Sequence, residues 1–134
     1  MSDIPKVLIA DDEQTCIDFV RASLSDMPCE VLEAFDGQQA LDVARKHHPQ
    51  LIILDIQMPE RSGFDVFVEL KKDEALASVP VIMMTALGER LGLQFDEKEM
   101  GEYMGTEPEA YIDKPVDGAS LKETVARLLE QAQA

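Results

Sequence analysis

The sequence predicts an α/β fold in which helices cover both faces of a mainly parallel β-sheet. Strand-sized apolar segments alternate with helix-like amphipathic segments five times along the 134 residues. The segment 51–54, Leu-Ile-Ile-Leu, is apolar at every position, as in a strand that is buried on both faces. Such alternation favours right-handed crossovers between parallel strands. The length suits one domain, so we expect a single domain over residues 1–134.

The first part of the chain predicts two strands and two helices. Residues 6–10, Lys-Val-Leu-Ile-Ala, form a short apolar run that is typical of a buried strand. Apolar residues then recur at spacings of three and four as far as Met27, which predicts a helix ended by Pro28. Residues 29–34 predict the second strand. After an Asp-Gly turn signal, residues 37–48 predict a helix with basic residues late, where they complement the helix dipole.

The central part predicts one strand and one helix. Residues 51–55, Leu-Ile-Ile-Leu-Asp, form the third strand, and residues 62 to about 73 form a helix with Ser62 as its N-cap. The residues of this helix that we expect to face inward are Phe64, Val68 and Leu70.

The last part predicts two strands and a final helix. Residues 79–86 and 110–113 form the strands, and residues 120–131 form the helix, with Leu121, Val125 and Leu128 on one face. Residues 88–110 interrupt the pattern because they contain four glycines and a proline. Each interior glycine costs a helix about 1 kcal/mol relative to alanine, so we expect at most a short or broken helix there.

The charge balance excludes several classes of function. Acids outnumber bases by 27 to 12, which gives a net charge of −15. Such a chain repels phosphate backbones and anionic membranes, so we expect no direct nucleic-acid binding and no membrane association. The two cysteines, Cys16 and Cys29, lack the spacing of a zinc site and are expected to be reduced thiols. The first residues lack a long apolar run and become acidic by residue 11, so we expect no signal peptide and a cytoplasmic location.

Polar residues follow the ends of four predicted strands. Asp11 and Asp12 end the first strand, Asp55 the third, Thr85 the fourth, and Lys114 follows the fifth. Because ligands of parallel α/β sheets bind outside the carboxyl ends of the strands, these residues are candidates for one site.

Each acid also has a simple structural interpretation. Asp12 or Glu13 could cap the first helix, and Asp55 could start a turn. Capping alone does not offset the repulsion, which is about 3 kcal/mol for two carboxylates about 5 Å apart at an effective dielectric near 20. A bound divalent cation would offset this repulsion. Oxygen ligands in this number suit Mg²⁺. Together with a lysine and a hydroxyl, they suit phosphoryl transfer onto an aspartate.

Four segments resemble the signature segments of bacterial two-component response-regulator receiver domains. They are VLIADDE, LIILDIQMPERSGFDV, VIMMTAL and YIDKPV, and the resemblance spans nearly the whole chain. Thr85 lies 30 residues after Asp55, a spacing that this family favours. The resemblance implies a flavodoxin-like fold, with a five-stranded parallel sheet in the order 2-1-3-4-5 and five helices on its two faces.

The resemblance also implies a role for each site residue. Asp55 would accept a phosphoryl group from a phosphohistidine. Asp12 and Asp55 would bind Mg²⁺ directly, Asp11 would act through water, and the backbone carbonyl of Gln57 would complete the protein ligands. Lys114 would pair with a phosphoryl oxygen.

The remaining implied roles concern the switch that follows phosphorylation. Thr85 would hydrogen-bond the phosphoryl group, supported by the adjacent Ala86, and would draw its loop inward. Tyr111 matches the aromatic switch position, whose ring turns inward when that loop moves. Pro115 would follow a cis peptide bond. Met58, Pro59 and Gly63 would shape the loop after the acceptor.

The sequence departs from the family between Thr85 and Lys114. These residues lie 29 positions apart, several more than is usual, and the Gly-Ala pair expected before Tyr111 is absent. The extra length falls in the fourth helix and its loop. Residues 94–109 contain six acids but only one base, Lys98. The segment is therefore either a solvated insertion or an element that docks a particular partner or acts as a mobile lid.

The sequence thus predicts a phosphorylated signalling receiver rather than an enzyme with an external substrate. Its expected partners are a sensor histidine kinase or phosphotransfer protein and a downstream protein that the sequence does not identify. Two alternatives remain. One is a receiver-like interaction module that phosphorylation does not switch. The other is a Mg²⁺-dependent aspartyl-phosphate phosphatase, which is disfavoured because Gln57 stands where that class has a second aspartate.

Overall fold

The computed structural model describes residues 4–56, 58, 62–86, 110–114 and 116–133. Within these residues, five strands form one sheet. The strands are β1 (Lys6–Ala10), β2 (Glu30–Ala34), β3 (Leu51–Asp55), β4 (Val81–Ala86) and β5 (Ala110–Lys114). The helices of the described residues are α1 (Gln14–Ser23), α2 (Gly37–His47), α3 (Gly63–Lys72) and α4 (Gly118–Gln133). The helix expected between residues 88 and 110 lies outside the described residues.

The sheet has the expected order and direction. Its strands are arranged β2-β1-β3-β4-β5, and all four neighbouring pairs are parallel. The predicted α/β fold with the 2-1-3-4-5 order is therefore confirmed. β1 lies beside β3 although a strand and two helices separate them in the chain, and this adjacency brings their carboxyl ends together.

Two hydrophobic clusters lie on opposite faces of the sheet. Alternate residues of β1 belong to different clusters, with Leu8 and Ala10 on one face and Val7 and Ile9 on the other. Helices α2 and α3 cover the first face, while α1 and α4 cover the second. β3 is buried along its whole length, as its uniformly apolar sequence predicts.

Two local predictions about the helices need correction. α1 ends at Ser23, with Leu24 at the C-cap, so Met27 and Pro28 follow in turns rather than in the helix. In α3, the apolar residues that are buried are Val66, Phe67 and Leu70. Of the other two residues expected to face inward, Phe64 is half-buried and packs against the first cluster, and Val68 is half-buried. The apolar residues of α3 span a wider face than the part of the helix that contacts the sheet. Their spacing does not show which of them the sheet covers.

The helix ends show which capping predictions were right. Ser62 is the N-cap of α3, as predicted, and its hydroxyl accepts a hydrogen bond from the Asp65 N–H at 3.2 Å. The Asp-Gly signal before α2 also marks a cap, because the Asp36 side chain accepts from the Gln39 N–H at 2.8 Å. The Gln39 side chain in turn accepts from the Phe35 N–H at 2.9 Å, so two backbone donors are satisfied reciprocally.

Two features of the described residues bear on the expectations about thiols and membranes. Cys16 and Cys29, both among the described residues, form no disulfide, and burial raises the pKa of the Cys29 thiol. None of the described helices combines the length and the apolar character that a membrane span requires.

His48 at the end of α2 offers a test of backbone strain. It is the C-cap residue and adopts a left-handed conformation with φ of 49°. A side chain with a Cβ atom is strained there, whereas glycine is not. We expect His48→Gly to raise the free energy of unfolding by about 0.5–1 kcal/mol in urea denaturation. His47→Gly, one residue earlier at the last position of the helix, should lower it by a few tenths of a kcal/mol. Equal signs for the two changes would contradict this account.

Candidate functional site

Three aspartates meet at the carboxyl end of the sheet. Carboxylate oxygens of Asp11, Asp12 and Asp55 all lie within 4.8 Å of one another. The strand register explains this proximity, because Ala10 of β1 is paired with Leu54 of β3 and the next residue of each chain segment is one of these acids. Asp11 and Asp55 are 0% and 3% exposed, whereas Asp12 is exposed. The sequence prediction that these acids form one site is therefore correct in its geometry.

Asp11 is held in place by backbone hydrogen bonds. Its side chain accepts from the Glu13 N–H at 2.9 Å, and its own N–H donates to the Ala34 carbonyl of β2 at 3.0 Å. Glu13 occupies the N-cap position of α1 but makes no capping hydrogen bond with its side chain. The suggestion that Asp12 or Glu13 caps this helix is thus replaced by a turn that Asp11 stabilises. The start of α1 also lies near negative charge, which its dipole favours.

The donor set of the cluster fits a small divalent cation. All three residues offer carboxylate oxygens, the hard ligands that Mg²⁺ prefers, and Mg²⁺ needs only one or two carboxylates together with waters. At distances below 5 Å, each pair of carboxylates repels by about 3 kcal/mol at an effective dielectric near 20, and less where water screens Asp12. A bound cation would turn this repulsion into attraction, which is why the burial of two of the acids is informative.

Ile56 and Gly63, which follow Asp55, are held against the end of the sheet. Ile56 donates its N–H to the Met84 carbonyl at 3.1 Å, and its carbonyl accepts the Gly63 N–H at 2.8 Å. A Cβ atom at residue 63 would collide with the Asp55 carbonyl oxygen and would lie 2.9 Å from the Ile56 Cα. Glycine is therefore required for α3 to start against the backbone of Asp55. Sequence reasoning identified Gly63 but missed Ile56, whose position between Asp55 and the turn was the available signal.

The backbones of Thr85, Ala86 and Lys114 lie at the same end of the sheet. Asp55 is paired with Met84, so Thr85 is the next residue of the neighbouring strand. Ala86 is paired with Lys114 where β4 and β5 end. Both strands are parallel to β3, so their carboxyl ends share its edge. The structure describes only the backbones of these three residues, and Gln57 and Pro115 lie outside the described residues.

Comparison with known families decides what kind of protein carries this site. The sequence model of the response regulator receiver domain matches residues 7–126. The chain belongs to the response regulator receiver family.

Known relatives match this receiver over nearly its full length. The polar-differentiation response regulator DivK of Brucella ovis is 36% identical over 126 residues, which cover 94% of this chain and 97% of DivK. The REC domain of AraT, a response regulator from Geobacillus stearothermophilus, superposes with a TM-score of 0.81 at 28% identity and covers 97% of this chain and 96% of that domain.

A chemotaxis protein gives the same result. The chemotaxis response regulator CheY4 of Vibrio cholerae superposes on this receiver with a TM-score of 0.78 at 28% identity, covering 93% of this chain and 98% of CheY4. The sequence-based assignment to a two-component receiver is confirmed, and phosphoryl acceptance is consistent with it.

Tyr111 of this receiver is directed toward the core. It lies in β5 opposite Met83 of β4, and it packs against the hydrophobic cluster that α2 and α3 cover. The residue is half-buried and its hydroxyl oxygen is buried. The resemblance expects the ring of the switch aromatic to turn inward when the Thr85 loop moves, and this role of Tyr111 stays a prediction. The acidic segment 94–109 lies outside the described residues, so the two interpretations of it remain open.

The close packing at Gly63 predicts a specific loss of stability. Gly63→Ala should lower the free energy of unfolding by about 1–3 kcal/mol, because the new methyl group meets backbone atoms that have no room to move. Gly118→Ala is the matched control. Its methyl group would lie 2.8 Å from the Ser23 hydroxyl, a side-chain atom that can rotate away, and alanine favours helix. Urea denaturation of both variants provides the measurement, and an equal loss in both would refute the argument.

Repulsion within the acidic cluster predicts a gain in stability when one charge is removed. With EDTA present, Asp12→Asn should raise the free energy of unfolding by about 1 kcal/mol, a value reduced from the Coulomb figure because Asp12 is exposed. Asp42→Asn, at an exposed acid of α2, should change it by less than about 0.5 kcal/mol. A destabilised Asp12→Asn protein would show that the carboxylate is there for structure.

Proposed function

We propose that Asp55 is the phosphoryl acceptor of this receiver and that a phosphohistidine of a sensor histidine kinase or phosphotransfer protein is the donor. The supporting observation is the cluster of three carboxylates, in which Asp55 is almost fully buried at the end of β3. An Asp55 oxygen attacks the phosphorus atom, the O–P bond forms, and the P–N bond of the donor breaks. The electron pair of that bond leaves with the imidazole, so no further reactant is needed.

The other site residues neutralise and position the transferred group. Asp12, Asp55 and the Gln57 carbonyl would hold Mg²⁺, with Asp11 acting through water, and the bound ion would offset the charge of the phosphoryl oxygens. Asp11 is suited to a fixed role because the Glu13 N–H holds its side chain. Lys114 would pair with a phosphoryl oxygen. The receiver would thereby catalyse only its own phosphorylation and dephosphorylation.

Signalling would follow from a shift between two conformations. Thr85 would hydrogen-bond the new phosphoryl group, with Ala86 beside it, and would draw its loop inward. Tyr111 would respond to that movement as the switch aromatic. Pro115 would support the loop after Lys114. To change the active fraction from 1% to 99%, phosphorylation must favour the active state by about 5.5 kcal/mol.

We further propose that residues 1–134 act as a single receiver domain in the cytoplasm and signal through a downstream protein. The net charge of −15 supports this choice, because it disfavours direct contact with nucleic acid or anionic membranes. The relatives named above are response regulators, which supports a kinase or phosphotransfer protein as the upstream partner.

Mass spectrometry after incubation with acetyl phosphate tests the acceptor directly. With Mg²⁺ present, the chain should gain the mass of one phosphoryl group, and Asp55→Asn should gain none. Asp12→Asn should react at least about tenfold more slowly, since it removes a metal ligand. Asp42→Asn should react like the unchanged chain.

Two outcomes would favour the alternatives. A chain that gains no phosphoryl group, and whose partner binding is unchanged by Asp55→Asn, would be an interaction module that phosphorylation does not switch. Multiple turnover of small phosphoesters would indicate a phosphatase. Phosphorylation that persists in Asp55→Asn would place the acceptor elsewhere.

A further inference from the structure

An apolar groove lies at the end of the sheet opposite the acidic cluster. Its volume is about 540 Å³, which is within the range of ligand-binding clefts. One wall consists of Ile4 and Pro5, directly before β1, and of Met27 and Pro28, which precede β2. Ala126 and Leu129 of α4 form the other wall. The groove therefore lies where β1 and β2 begin, whereas the carboxylates lie where β1 and β3 end.

The walls of the groove are fastened to each other and to the sheet. The Pro5 carbonyl accepts the Glu30 N–H at 2.8 Å, which joins the two segments that form the first wall. Asp26, next to Met27, forms an ion pair with Lys122 of α4 and so links the first wall to the second. The hydrogen bond from Lys122 lowers the pKa of the exposed Asp26 carboxyl. A preformed groove avoids the entropic cost of ordering its walls on binding.

The residues of the groove favour an apolar ligand with positive charge. Among the described residues that line it, Glu130 is the only charged one. Ile4 is 52% exposed at its edge, which is unusual for a large aliphatic side chain and leaves apolar surface available for contact. The net negative charge of the chain disfavours two other kinds of apolar ligand. A second copy would bring together two chains of −15 charge, and an anionic membrane would also be repelled.

We propose that this groove docks a cationic amphipathic helix of a partner protein. Apolar residues at one face of such a helix would fill the cleft between the Met27–Pro28 wall and α4, in the manner of helix-in-groove recognition. A lysine or arginine at the rim would pair with Glu130. This surface lies at the opposite end of the sheet from the carboxylates, so it is a contact area distinct from the acidic cluster.

The test uses the full chain labelled with ¹⁵N and a synthetic helical peptide. The peptide has leucines at positions i, i+3, i+4 and i+7 and lysines elsewhere. A scrambled peptide of equal composition and a version with glutamates in place of the lysines serve as controls. We expect the first peptide alone to shift the amide signals of Ile4, Met27, Ala126 and Glu130.

Two charge reversals on α4 form a matched pair. Glu130→Lys should weaken binding of the cationic peptide at least about tenfold, because it places a repelling charge in the groove. Glu123→Lys makes the same change of net charge on an exposed residue of the same helix that does not line the groove. It should alter the affinity by less than about twofold. Thermal denaturation of both variants shows that each is folded.

Several results would overturn the proposal. If the scrambled peptide bound as well as the amphipathic one, the peptide would be attracted by net charge alone. An equal loss of affinity in Glu130→Lys and Glu123→Lys would show the same. Absence of binding by the cationic peptide would exclude this class of ligand. Shifts confined to the β4–β5 edge would place the contact elsewhere. A concentration-dependent dimer that Ile4→Ser disrupts would identify a second copy as the ligand.

Discussion

The carboxylates of Asp11, Asp12 and Asp55 repel one another, and the parallel sheet holds them together against that repulsion. The register of β1 and β3 fixes their separation at less than 5 Å. Burial of β3 along its whole length prevents the strand from moving aside. The fit of Gly63 against the Asp55 carbonyl holds the start of α3 close to the end of β3. The core therefore holds three carboxylates close together although they repel one another, and a bound cation would reduce that repulsion.

Phosphorylation at this end of the sheet would act on both hydrophobic layers. Consecutive residues of β4 face opposite sides, with Met83 in the cluster under α2 and α3 and Met84 in the cluster under α1 and α4. Both residues immediately precede Thr85, and Tyr111 packs beside the first of these clusters. A displacement at the end of β4 would thus be transmitted to two helical surfaces. Because close-packed cores repack between discrete arrangements, such a change suits a switch with two states.

Predictions from the sequence were correct where a residue at a given position has a single plausible structural role. Ser62 before an amphipathic segment predicted an N-cap, and the hydroxyl caps α3. Periodicity was less informative where apolar residues form a broad stripe. It extended α1 to Met27, although the chain leaves the helix after Ser23, and it missed Val66 and Phe67 in favour of half-buried neighbours. Apolar spacing defines a face, but packing against the sheet decides which part of that face is buried.

The sequence by itself determined the alternation of strands and helices, and it placed acids directly after two buried strands. These features follow from the local pattern of apolar and polar residues, whereas the resemblance to the receiver family follows from the identity of particular residues. Only the tertiary structure decided that β1 and β3 are neighbours in register, so that three carboxylates approach within 4.8 Å. It alone also joined residues 4–5, 27–28 and 126–130 into one groove. Such distances follow from packing between segments far apart in the chain, which no local pattern specifies.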